Sequence, residues 1–147
     1  GRENYQGTYT GYEQKLATTG TTGTFTGSGG MNQPSLVTLT LTDSGNVATG
    51  SYTVSQSYQM SPFPTNQGQQ TQAGQFTAST ENSGSLTNVQ LMRFEAMGGS
   101  ACLYTGSLSS SNRGQTINGT LTSPSASQSG SNMNMCPSIQ ISLTRGN

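Results

Sequence analysis

Between Leu36 and Val54 apolar and polar residues alternate, with Val37, Leu39 and Leu41 on one parity and Thr38, Thr40 and Thr42 on the other. A period of two predicts a strand buried on one face and wet on the other. Asp43, Ser44, Gly45 and Asn46 then carry turn chemistry, because Gly and Asn tolerate positive φ and Asp can bond its own backbone. A second arm resumes at Val47 and sets Gly50, Tyr52 and Val54 on one face. This hairpin is the unit that later stretches repeat.

The first strand is predicted from Tyr5 to Tyr12, with Tyr5 and Tyr9 on one face and Tyr12 on the other. A long connection, Glu13 to Pro34, follows, within which Gly23 to Ser28 reads as a short extra strand. Ser57 to Gln72 reads as irregular, since Pro62 and Pro64 lack ladder donors. A second hairpin runs Ala73 to Thr80, turns at Glu81 to Ser85 and returns through Leu86 to Phe94. After a loop, Glu95 to Ser100, a third has arms Ala101 to Ser109 and Ile117 to Ser123 around a polar turn, Ser110 to Thr116. Pro124 to Met135 is a Ser/Asn/Gln-rich loop, and the last strand, Ser138 to Arg145, puts Ile139, Ile141 and Leu143 on one face.

No stretch carries the 3.6-residue apolar period of a helix. The reading is all-β: one domain spanning 1–147, built as a small antiparallel barrel of about eight up-and-down strands, with a β-sandwich as the competing architecture. No Greek-key crossover is evident, and closure would remove uncharged, Thr-rich edges that invite association. Gly50, Gly74, Gly106 and Gly119 suit the bends of so tight a barrel. Leu39, Leu41, Tyr52, Phe76 and Tyr104 are the inward candidates, bulky enough to leave little lumen.

Composition thins the expected core without abolishing it. Leu, Ile, Val and Phe make up 21 of 147 residues, but the net charge is zero, so the repulsion that accompanies disorder is missing. Arg2, Arg93, Arg113 and Arg145 are scattered and read as solvated strand-end charges, and Lys15 is the single lysine. Nucleic acid and anionic membrane surfaces need clustered cations, so neither is an expected partner. No apolar run reaches the ~20 residues of a membrane helix. The chain starts at Gly1 rather than Met, which predicts a processed or trimmed chain. Two Cys on a Ser/Thr-rich background point to an oxidising compartment, so secreted, periplasmic or cell-envelope lipoprotein. Asn118-Gly119-Thr120 is a formal N-glycosylation sequon, meaningful only in a eukaryotic secretory host.

There is no His, which removes Ser-His and Cys-His nucleophiles and His-bearing zinc sites. The five acids are Glu3, Glu13, Asp43, Glu81 and Glu95. Glu3 and Glu13 flank the first strand as solubilising charges, and Asp43 and Glu81 sit in turns as caps. No pair is spaced for two-carboxylate catalysis. Catalytic residues, a metal and cofactors are therefore not expected, and the protein reads as a non-enzyme. Cys102 and Cys136 are predicted to form a disulfide. They open strands two apart in a meander, a separation of about 10 Å, but Cys136 precedes Pro137 at a loop end and can lean across. The alternative is a thiolate and thioether site for Cu(I) at Met133-Asn134-Met135-Cys136, which a disulfide would remove.

In a meander, alternate connections emerge at opposite ends. The short turns share one end, and the four long connections share the other. Met31, Tyr58, Met60, Phe63, Met97, Met133 and Met135 all fall on long connections, five of the six Met among them. They either plug the barrel or form a soft, adaptable apolar binding surface. The expected function is a non-catalytic binding module that uses this end for a partner, a surface or a small apolar ligand. An adhesive or fibre-tip domain with a filled lumen, or a lumen-binding carrier, are the alternatives.

The pieces Gly7-Thr8-Tyr9-Thr10-Gly11, Val37 to Thr42 with its Gly-Asn turn, Gly50-Ser51-Tyr52 and Ile141-Ser142-Leu143-Thr144-Arg145 resemble the small secreted bacterial lipocalin-like, or calycin-like, barrel domains. Members of this family are often lipoproteins, so the resemblance implies an eight-strand barrel and an export route. The avidin-type relatives hold biotin between Trp side chains, and the absence of Trp here argues against biotin.

Overall fold

The computed structural model describes residues 3–16, 34–57, 69–94, 101–123 and 136–146. They form eight strands: β1 (Gly7–Lys15), β2 (Ser35–Ser44), β3 (Val47–Ser57), β4 (Gln69–Ser79), β5 (Ser85–Phe94), β6 (Ala101–Ser111), β7 (Thr116–Thr122) and β8 (Ile139–Arg145). Each pairs antiparallel with the next, and β8 returns to pair with β1, which closes the barrel. There is no helix among the described residues. The closed meander is the expected barrel and not the sandwich. Gly23 to Ser28 lies outside the described residues.

Alternation accounts for the wall. In β2 the buried residues are Val37, Leu39 and Leu41, and the exposed ones between them are Thr38, Thr40 and Thr42. The β2–β3 loop is two residues long, with positive φ at Gly45 alone, the pattern of a type II′ turn that matches strand twist. Gly50 sits where strands press closest, since a Cβ there would lie 1.8 Å from the Thr40 carbonyl oxygen.

Several boundaries differ from the sequence reading. Tyr5 is fully buried yet precedes β1, which runs on past Tyr12 to Lys15. Gln69 to Gln72 belong to β4, because Pro62 and Pro64 fall before the ladder resumes at the Ser57–Gln69 pair. In β5 the interval from Leu86 to Val89 is odd, yet both are buried. A register shift between these two residues, with Asn88 at φ 54°, rephases the strand so that both face inward.

The interior is one cluster. Tyr9, Leu39, Leu41, Tyr52, Phe76, Leu91, Tyr104 and Ile141 are all buried in it, so bulky side chains occupy the space between the described strands. Outward positions such as Thr8, Thr10, Thr49, Gln75, Thr77 and Gln140 are polar and exposed. Apolar inside and polar outside is the inverse of a lipid-facing barrel.

Candidate functional site

The two ends of the barrel are built differently. At the short-turn end the N-terminal residues Glu3 to Gln6 lie across the opening. The Tyr5 amide donates to Asp43 Oδ2 at 2.9 Å, and the Asp43 amide donates to Gln6 Oε1 at 3.0 Å. The Gly84 amide donates to Glu3 Oε2 at 2.9 Å, and the Tyr5 hydroxyl bonds Ser110 Oγ at 2.8 Å. Arg145, at the end of β8, donates through Nη1 to the carbonyls of Asn4 at 2.7 Å and Gln6 at 3.1 Å. Its guanidinium lies 5.4 Å from the Tyr9 ring centroid, and the Tyr9 hydroxyl donates to the Gly114 carbonyl at 2.7 Å. Asp43 thus caps the N-terminal segment as well as ending its strand, and Glu3 is a strap contact, not a free solubilising charge.

At the opposite end, where β1, β3, β5 and β7 run out, the lumen is crossed by an ion pair. Arg93 Nη1 donates to both Glu13 oxygens at 3.0 Å, and the two side chains are 1% and 2% exposed. In a ring of eight, β1 and β5 stand opposite each other, so the pair spans the barrel. Tyr52 donates its hydroxyl to Glu13 Oε1 at 2.7 Å, and Arg93 Nη2 donates to Gln72 Oε1 at 3.1 Å. The guanidinium carbon lies 5.5 Å from the Tyr104 ring centroid. Gly74, paired with both Tyr52 and Arg93, makes room for the arginine stem: a Cβ there would sit 3.2 Å from Arg93 Cγ.

This corrects two expectations. Glu13 is not a solubilising charge, because β1 continues through it and its parity is that of Tyr9. Arg93 is not a solvated strand-end charge, because it keeps the inward parity of Leu91. Both signals were present as spacing, and charge type obscured them.

Cys102 and Cys136 are bonded, with Cα atoms 5.7 Å apart, although their strands are separated by β7. Cys136 lies ahead of β8 and is partly buried against the core, so it does lean across. A disulfide is typical of extracellular and periplasmic proteins. Among the described residues no three Cys, Asp or Glu side chains gather as metal ligands. The sequence-derived binding residues Met31, Tyr58, Met60, Phe63, Met97, Met133 and Met135 lie outside the described residues. The described strand ends that flank those residues, the ends of β1, β3, β5 and β7 and the start of β8, lie at the ion-pair end.

Burial shifts two tyrosines. Tyr9 is pushed up to about 12, chiefly by burial, with Arg145 partly opposing. Tyr52 is raised well above its ordinary value by burial and then by the Glu13 charge and hydrogen bond. A raised folded-state value means the unfolded chain loses its protons first. The stabilisation is therefore complete below about pH 10 and is lost as pH rises toward about 12. Chemical unfolding at stepped alkaline pH should show that decline, with the tyrosinate absorbance of the buried tyrosines appearing late and with unfolding. Ionisation of every tyrosine in still-folded protein, Tyr9 and Tyr52 included, would contradict the buried placement.

Searches against family models, curated proteins and solved structures found no match for this chain.

Proposed function

We propose that the protein is a non-catalytic binding module, secreted or held at the cell envelope, that recognises a partner or surface through its long-loop end. One observation carries this reading: the described residues bridge the barrel at one end and floor it with a buried ion pair at the other. The short-turn end is bridged by the N-terminal strap and Arg145. Residue 3 and residue 146 both lie there, since β1 starts and β8 ends at that end. The first and last described residues therefore lie at the end opposite the ion pair.

The ion-pair end has a polar floor, not an empty shaft. A ligand deep in the lumen would have to displace Glu13, Arg93 and the aromatic core, which favours recognition above the floor by the Met- and aromatic-bearing connections. Three of the five acids have structural partners: Glu3 with Gly84, Glu13 with Arg93 and Asp43 with Tyr5. The eight-strand meander is the barrel that the lipocalin-like resemblance implies, here with a filled interior.

Two measurements test the proposal. Native mass spectrometry of protein from its own host should show no retained small molecule. Binding to that host's surface fraction should weaken in Met60→Ser/Phe63→Ser, with the melting temperature little changed, because loop tips carry few core contacts. A lowered melting temperature with binding intact would mean these residues merely plug the barrel. A retained apolar molecule would favour the carrier.

A further inference from the structure

On the outer wall, reaching toward the ion-pair end, a groove of about 500 Å³ crosses the seam where β8, β1 and β2 meet. Tyr12 and Leu36 are paired directly across β1 and β2 and stand up from the wall at 53% and 55% exposure. The next outward row is hydroxyl: Thr38, Thr10 and Thr144 are cross-strand neighbours, and Ser142 sits beside Tyr12 on β8. Neither the Tyr12 phenol nor these hydroxyls hydrogen-bond to another side chain among the described residues. The rows lie about 6.8 Å apart along the strands and about 4.8 Å apart across them. None of the described residues that line the groove is charged.

We propose that this groove is a binding site for a neutral saccharide ring. The chemistry selects the occupant by elimination. An anion or nucleotide would need a cation, and none of the described lining residues is one. A peptide strand would need an open sheet edge, but β1 is paired on both sides. A wholly apolar ligand would cover the hydroxyls without satisfying them. A pyranose presents C–H groups on its face and hydroxyls around its rim. Its face stacks on Tyr12 beside Leu36, and its rim hydroxyls exchange hydrogen bonds with Thr10, Thr38, Thr144 and Ser142. The groove's residues differ from those proposed for the loop end, so substitutions at Tyr12 and at Met60 or Phe63 test the two sites separately.

The test is a titration of isotope-labelled protein with a panel of neutral mono- and oligosaccharides, such as glucose, galactose, mannose and N-acetylglucosamine with their linear oligomers, followed by amide chemical shifts. At least one should move resonances confined to residues 10–12, 36–38 and 142–144, with affinity unchanged by added salt. Tyr12→Ala should weaken that binding about tenfold, while Tyr12→Phe retains most of it. Val47→Ser, at an exposed apolar position elsewhere on the wall, should leave binding and circular dichroism unchanged. Absence of shifts with every saccharide, shifts elsewhere, or full affinity in folded Tyr12→Ala would each overturn the site.

Discussion

Replacing Arg93 by Ala should cost about 3–5 kcal/mol of folding stability, because it leaves the Glu13 carboxylate buried without its counter-charge. Glu13 is 2% exposed, and without the guanidinium its carboxylate keeps the Tyr52 hydroxyl at 2.7 Å but no counter-charge. Arg93 also fills the lumen between Gly74 and Tyr104, so truncation removes packing as well as charge. The double replacement Glu13→Leu/Arg93→Met should recover most of the loss, since a buried ion pair exchanged for apolar groups of similar volume is commonly neutral or stabilising. Urea unfolding of the parent, the single and the double variant gives the comparison. A double variant no more stable than Arg93→Ala would mean that the charges are not what couples β1 to β5.

Removing the disulfide with Cys102→Ser/Cys136→Ser should cost about 3–4 kcal/mol in the chain-entropy model, given a sequence separation of 34 residues. For a core with so few large aliphatic residues this is a major share of ordinary domain stability. The bond ties β6 to the approach of β8 at the ion-pair end, where Cys102 is the cross-strand partner of Arg93. The two predicted losses should therefore be non-additive, because neighbouring residues couple. Thermal unfolding of oxidised parent and variant measures the first effect. Thiol titration of the oxidised parent should find no free sulfhydryl. A loss well under about 1 kcal/mol would show that the unfolded chain is already compact around this loop.

The wall of the barrel was readable because period-two patterning is a local property. Val37, Leu39 and Leu41 against Thr38, Thr40 and Thr42 define a face without knowledge of any neighbour, and the bonded Cys pair was legible because the chain has just two Cys. The interior floor was not readable in the same way. Tyr9, Gly11 and Glu13 share a parity, as do Leu91 and Arg93, but a charge on the inward parity is tolerated only when its partner stands across the lumen. That partner is 80 residues away in sequence. Asn88 illustrates a second limit, since nothing near Leu86 announces a bulge until the pairing with β6 demands it. Tyr5 illustrates a third: its parity with Tyr9 suggested a strand, whereas Asp43 and Ser110 recruit it to span the barrel end. The wall groove escaped notice because it depends on β8 lying beside β1, a contact between the two ends of the chain.

Closure between β1 and β8 underlies the finished end, the lumen-spanning pair and the groove alike. Backbone nuclear Overhauser contacts across that seam test it most directly. The structure predicts contacts between Thr10 and Thr144 and between Tyr12 and Ser142, with slow amide exchange along both strands. Their absence, together with fast-exchanging amides on β1 and β8, would show an open sheet or sandwich and contradict the assignment of two unlike ends.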